Sequence, residues 1–71
     1  MEGSVIYRDP DILGGTPVFR GTRAPIRILF EHLEAGDPLE VFLTDFPSVT
    51  REHVSEVLHM ALSRLLSEKE V

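Results

Sequence analysis

The length of the chain, 71 residues without a cysteine, is the feature that most constrains its fold. A chain of this size forms one small domain and buries only roughly 60% of the surface that its unfolded form exposes, so its core is marginal. Small domains usually gain the missing stability from a disulfide, a metal or a second subunit. Without cysteine there is no disulfide, no thiolate ligand and no thiol nucleophile. The length therefore predicts a single domain that is stabilised by another chain, either a second copy or a different protein.

The sequence predicts a protein that does not enter a membrane. No apolar run approaches the roughly 20 residues that cross a bilayer, and Met1–Ser4 lacks the features of a signal peptide. We therefore expect a soluble, cytoplasmic protein.

The sequence also gives no reason to expect an enzyme. Catalytic triads and paired carboxylates need groups that converge in a concave pocket, and a chain this short offers little concavity. His32, His53 and His59 lie on predicted helices at spacings that do not share a face, so they form no metal site. We expect no catalytic residue, no metal, no cofactor and no small-molecule substrate.

The charge of the chain is unevenly distributed. Twelve acidic and seven basic side chains give a net charge of −5, which argues against strong, independent binding of nucleic acid. Residues 1–13 carry −2, residues 14–27 carry +3 with no acidic residue, and residues 28–71 carry −6. Such segregation of charge points to an interaction surface. The alternative is that the three arginines cluster in this short segment by chance.

The clearest secondary-structure signal is an amphipathic helix at residues 51–67. Thr50 is placed to cap its N-terminus, and Met60 lies off its apolar stripe, where it suits a contact between subunits. The stripe follows the i, i+3, i+4, i+7 spacing of one helix face, is expected to lie in the core, and consists of Val54, Val57, Leu58, Ala61, Leu62, Leu65 and Leu66.

Two shorter helices precede it. The second is predicted at residues 38–45, with a capping box in which Asp37 caps and Glu40 reaches back, and it ends before Pro47. The first is predicted from about residue 25 to residue 35. Three helices with tight connections predict a mainly α fold with a tri-helical, homeodomain-like helix-turn-helix core.

The N-terminal third predicts a short β arm. Val5–Tyr7 and Val18–Phe19 are β-prone and are separated by turn signals. Because an isolated two-stranded hairpin is marginal in water, we expect the arm either to pair with the same arm of a second subunit or to lie across the helices. The arm, residues 1–24, and the helical core, residues 25–67, form one domain.

The stretch from Gly14 to Arg23 is the most unusual part of the sequence. Here and beyond, a set of glycines and prolines is predicted to allow reversals or to end helices, namely Gly14, Gly15, Pro17, Gly21, Gly36 and Pro47. The candidate DNA- or partner-binding residues are Arg20, Thr22, Arg23, Arg27 and Arg51. Each arginine has a structural alternative, as in an i, i+4 pair of Arg27 with Glu31, and Thr22 can instead satisfy backbone donors near the first helix.

These motifs resemble a known family. The elements that carry the resemblance are Asp9-Pro10, Gly14-Gly15-x-Pro17, Arg20-Gly21-Thr22-Arg23-x-Pro25, Gly36 and Phe46-Pro47. They are similar to those of a small bacterial family that long carried a domain-of-unknown-function label and whose members are commonly classed as VapB-like antitoxins. The resemblance covers about residues 5–62 and implies a homeodomain-like core with a short β arm, usually dimeric. It also implies a PIN-like ribonuclease toxin, which this protein neutralises, and DNA binding for autoregulation.

The third helix has the wrong charges for a DNA-recognition helix. Its first residues face base edges in such a fold, and Arg51 suits guanine, but Glu52 and Glu56 face a polyanion. We therefore expect any DNA contact to come from Arg20, Arg23 and the neighbouring Arg27 in a dimer, with Arg51 assisting.

Three functions remain open from the sequence. The first is an antitoxin module of a type II toxin–antitoxin system, a homodimer that binds a ribonuclease toxin and its own operator DNA. The second is a helix-turn-helix DNA-binding regulator without a toxin. The third is a structural dimerisation module in which the helix-turn-helix shape is incidental.

Overall fold

Three helices and one small sheet make up the chain in the computed structural model, which describes residues 4–67. The elements in chain order are the strand β1 (Ile6–Tyr7), a one-turn 3₁₀ helix (Leu13–Gly15), the strand β2 (Val18–Phe19) and the helices α1 (Ile26–Glu34), α2 (Leu39–Asp45) and α3 (Arg51–Ser67). The predicted mainly α fold is confirmed. None of the helices in this range is both long enough and apolar enough to cross a bilayer.

The helix bounds follow the predicted ones to within one residue. α3 covers the predicted range, and its cap is the predicted one, since the backbone N–H of His53 donates to Oγ1 of Thr50 at 3.1 Å. α1 and α2 begin one residue later than predicted. The reason is that Pro25 and Pro38 have extended ψ values of 136° and 148° and so stand just outside their helices.

The capping box predicted at the start of α2 is wrong. Pro38 occupies the N-cap position in place of Asp37, and no side chain caps this helix. The carboxylate of Glu40 does not reach back along α2 but pairs with the guanidinium of Arg51 at 2.6 Å. An ion pair to the start of α3 therefore takes the place of a local cap.

α1 ends at Glu34, one residue before its predicted end, and α2 ends at its predicted last residue. The N–H of Gly36 donates to the carbonyl of Leu33, and the N–H of Asp37 donates to the carbonyl of His32, each at 3.0 Å, which is a Schellman turn. Gly36 has a φ of +82°, a conformation that residues with a Cβ rarely adopt. α2 ends at Asp45, just before the Phe46-Pro47 pair.

The N-terminal strands pair with each other and lead directly into α1. β1 and β2 are antiparallel, with Ile6 opposite Phe19. After β2 the chain turns back on itself, and the N–H of Ile26 donates to the carbonyl of Pro17 at 3.0 Å. The arm is thus a compact hairpin continuous with the first helix.

One hydrophobic core joins the hairpin to the helices. It consists of the buried residues Val5, Phe19, Ala24, Leu29, Phe42, Val49, Val54 and Val57. Phe42 is central, because its ring centroid lies 5.9 Å from that of Phe19, 5.1 Å from that of Phe46 and 5.6 Å from that of His32. The arm therefore lies across the helices, one of the two predicted arrangements, while the pairing of its strands within one chain is not among those predicted.

The C-terminal half of α3 lies outside this core. Val54 and Val57 are buried, but the exposed fractions of the later leucines are 38% for Leu58, 50% for Leu62, 71% for Leu65 and 75% for Leu66. The prediction that the whole stripe is buried is thus wrong from Leu58 onward. The physical reason is length: α3 extends for about 25 Å, whereas α1 and α2 have only nine and seven residues. The radius of gyration, 12.8 Å, accordingly exceeds the roughly 11 Å of a compact domain of this size.

Candidate functional site

The segment from Arg20 to Arg23 forms the tight turn between β2 and the chain that enters α1. The N–H of Thr22 donates to the carbonyl of Phe19 at 3.0 Å, and Gly21 at the third position of the turn has a φ of +82°. The hydroxyl of Thr22 donates to the same carbonyl at 2.8 Å and accepts the N–H of Ala24 at 3.0 Å. Thr22 thus forms hydrogen bonds with backbone groups just before α1, which is the structural role that the sequence offered as the alternative to binding a partner.

Arg20 is held against the first strand. Its Nε donates to the carbonyl of Ser4 at 2.5 Å, and its guanidinium carbon lies 4.8 Å from the centroid of the Tyr7 ring. Arg23, at the other end of the turn, is exposed and forms no ion pair with any residue in the range 4–67. The turn therefore presents two exposed arginines, of which Arg20 is held in place by other groups of the chain.

The other two candidate arginines pair with acids of the chain. Arg27 meets Glu31 at 2.7 Å within α1, the i, i+4 pair named from the sequence, and Arg51 meets Glu40 at 2.6 Å between α3 and α2. Both pairs are exposed, so solvent screens them and each stabilises the fold only weakly. Of the five candidate residues, Arg20, Thr22 and Arg23 share a turn, while Arg27 lies on α1 and Arg51 lies on α3.

The pair at the start of α3 affects the titration of Glu40. The hydrogen bond and the positive charge of Arg51 lower the pKa of Glu40 below its ordinary value of 4.5. Because the folded-state pKa is lowered, the pair stabilises the fold above that pH and the contribution is lost as the pH falls.

Replacing Arg51 with alanine is therefore expected to raise the pKa of Glu40 toward its ordinary value. The measurement is an NMR titration of the side-chain carboxyl carbon of Glu40. Arg27→Ala removes an equally exposed arginine that has a different partner and is the matched control, so it should leave the pKa of Glu40 unchanged. An unchanged pKa in Arg51→Ala would show that the pair does not form in solution.

The helices carry a strongly acidic surface. Residues 28–67 contain seven acidic side chains against two arginines, and no charged residue in the described chain is buried. These acids lie on α1, on α2, on the connection between them and on the first two turns of α3. The exposed surface of the helices is therefore negative wherever it is charged, apart from those two arginines and the basic end of α1 at Arg27.

His32 joins α1 to α2 at the edge of the core. Its Nδ1 lies 3.1 Å from the carbonyl oxygen of Ile28, and its Nε2 lies 3.4 Å from a carboxylate oxygen of Asp45. The side chain is mostly covered, and its ring meets that of Phe42 edge-on. His32 is thus a boundary residue, and within residues 4–67 no three side chains come together as metal ligands.

The second candidate surface, missed from the sequence, is the leucine face of α3, defined by Leu58, Leu62, Leu65 and Leu66. These side chains continue the buried stripe of Val54 and Val57 beyond the edge of the core. The signal that points to it is the length of the stripe, which extends over more than three helical turns. Two short helices and a hairpin of two-residue strands cannot cover so long a stripe, so its far end had to be exposed or covered by another chain.

Comparisons with known proteins find a matching family and a similar curated protein. The profile of the family described as "Protein of unknown function (DUF433)" matches residues 6–61. The curated "Uncharacterized protein y4eO" of Sinorhizobium fredii (strain NBRC 101917 / NGR234) is 42% identical over 50 residues. That match covers 70% of this chain but 23% of the relative, so the chain spans less than a quarter of the relative's length. No solved structure matches the sequence.

Proposed function

This chain belongs to the family described as "Protein of unknown function (DUF433)", and from that premise we propose that it is an antitoxin-type module. It acts without catalysis in the cytoplasm, as a dimer, by binding and neutralising a PIN-like ribonuclease toxin. That partner follows from the resemblance to VapB-like antitoxins, whose marker is the Gly14–Arg23 motif. In this proposal α2 and α3, joined by residues 46–50, are the helix-turn-helix pair of a homeodomain-like core.

The proposal is carried by the difference between the charged side chains that are engaged within the chain and those that are exposed and unpaired. Three of the four candidate arginines are engaged by groups of the same chain. Two of the three pair with acids of the helices, but Glu34, Glu52 and Glu56 are exposed and form no ion pair within residues 4–67. A ribonuclease binds a polyanion, and basic side chains in the groove that holds the RNA supply much of that affinity. An acidic helical surface is complementary to such a groove and repels nucleic acid. The electrostatics therefore favour a basic protein partner.

Co-expression with the protein encoded by the neighbouring reading frame tests this function. We expect a stable complex and rescue of growth if that neighbour is toxic. Neutralising two exposed acids, Glu34→Gln with Glu56→Gln, should weaken the complex about tenfold at low salt and flatten its salt dependence. A toxic neighbour that is neither bound nor neutralised by the chain would contradict the proposal.

A second candidate function is binding of operator DNA by the Arg20–Arg23 turn. The observation that favours it is that Arg23 is exposed and that residues 14–27 contain no acid. Two copies of this turn in a dimer double its phosphate contacts. The test is binding to the chain's own promoter at increasing salt, where Arg20→Gln with Arg23→Gln should flatten the slope. The same double variant is the matched control for toxin binding, which we expect it to leave unchanged.

A further inference from the structure

We propose that the leucine face of α3 binds the leucine face of a second copy of this chain, with the two α3 helices antiparallel. The inference rests on the proposed function only for the statement that the protein is a dimer, and it names the surface that forms this dimer. A different protein on the same face is the competing occupant.

The extent of the leucine face is the first argument. Its side chains are 38% to 75% exposed and together expose on the order of 400 Å² of apolar surface. That area is within the range of the largest apolar patch on a typical monomer, which is often a functional surface. The total accessible surface of the chain is 5033 Å². The leucines lie within three turns on one side of a single helix, so they form one patch and are not scattered over the surface.

The absence of acidic residues from the C-terminal part of α3 favours a second copy of the chain as the partner that covers the leucine face. The segment 57–67 contains no acidic residue, although the chain as a whole carries −5. A partner with the same negative charge can approach only through a segment free of acids, because acidic surfaces placed together repel each other. A basic partner, in contrast, gains more by binding the acids on α1, α2 and the start of α3. The acid-free leucine face is therefore suited to self-association.

The size of the buried surface agrees with a stable dimer. Two leucine faces together bury about 800 Å² of apolar surface, and since homodimer interfaces are roughly 65% apolar, the whole interface is about 1,200 Å². That area exceeds the roughly 1,000 Å² expected of a biological interface. It lies at the small end of the range, which fits a chain of 71 residues.

The antiparallel arrangement follows from the position of the rest of the fold. Residues 4–57 lie at the N-terminal end of the leucine face and carry most of the acids. A parallel pair places these acidic bodies side by side, whereas an antiparallel pair centred on Leu62 places them at opposite ends. Leu58 of each copy then lies opposite Leu66 of the other.

Leu62→Glu tests the surface, because Leu62 is central to the face and half-exposed, so the substitution leaves the core intact. The matched control is Met60→Glu: Met60 is 39% exposed and lies about 160° around the helix from Leu62. Analytical ultracentrifugation should show wild type and Met60→Glu as dimers at about 10 µM. Leu62→Glu should be a monomer whose dimerisation is weakened at least about 100-fold. Urea denaturation should show a cooperative transition in all three, because the core is intact in each of them.

Single cysteines test the arrangement, because the chain has no cysteine of its own. A mixture of Leu58→Cys and Leu66→Cys should cross-link into mixed disulfide dimers, and each variant alone should cross-link poorly. Efficient cross-linking of each variant with itself would overturn the antiparallel arrangement.

Two further outcomes would overturn the proposed occupant. A wild-type chain that is monomeric at about 100 µM but loses its toxin complex in Leu62→Glu assigns the leucine face to the toxin. A dimer that survives Leu62→Glu assigns dimerisation to another surface. Failure of toxin neutralisation by a chain that dimerises through Leu62 counts against the antitoxin function alone, and the dimer then still supports this inference.

Discussion

Replacing Phe42 with alanine is expected to destabilise the fold more than any exposed substitution does. Phe42 is fully buried and lies at the centre of the aromatic contacts that join the hairpin, α1 and the end of α2. Removing a buried phenylalanine costs about 3–5 kcal/mol, through lost burial and the cavity that remains. A domain of this length is stable by only about 4–10 kcal/mol in total. The substitution therefore removes a large part of the free energy of unfolding.

Urea denaturation followed by circular dichroism measures this loss. All variants must be compared at one protein concentration, because dimerisation adds to the apparent stability. Val41→Ala is the matched control: Val41 precedes Phe42 on the same helix but is 40% exposed, so we expect a loss below about 1 kcal/mol. Equal losses for the two variants would contradict the position of Phe42 in the core.

A chain that begins at residue 25 is expected not to fold. The residues before it provide four of the nine buried apolar side chains in the described chain, namely Val5, Val18, Phe19 and Ala24. The helices that remain lose the surface against which they pack. α1 and α2, with nine and seven residues, are shorter than the roughly 12–15 residues needed for even marginal helicity in water.

Circular dichroism and thermal unfolding of residues 25–71 test this expectation. We expect a weak helical signal without a cooperative transition. A chain that begins at Ser4 is the control, since residues 4–67 contain the hairpin and all of the core residues, and it should unfold cooperatively. A cooperative transition in the shorter chain would show that the helices form a domain without the hairpin.

Local interactions made the helices predictable from the sequence. The Thr50 cap, the Gly36 turn and the Arg27–Glu31 pair each join residues at most five positions apart. Such contacts depend on residue type and spacing, which a sequence displays directly. The bounds of α3 follow from signals of this kind.

Contacts between distant residues account for what the sequence did not predict. The carboxylate of Glu40 does not form the predicted capping box because it accepts a hydrogen bond from the guanidinium of Arg51, eleven residues later. Arg20 is engaged by Ser4, sixteen residues earlier, so spacing gives no sign that it is held. The burial of α3 depends on how far the other elements reach along it, a property of the assembled fold and not of the stripe.

The exposed C-terminal half of α3 links the proteolytic stability of the chain to whether another chain covers that half. From Leu58 onward the helix has little tertiary support in the described structure, and an unsupported helix of about ten residues opens readily in water. An opened segment is the form that proteases cleave, and its leucines are the side chains that quality-control factors recognise. We therefore expect proteases to cleave a copy whose segment is covered more slowly than an uncovered one.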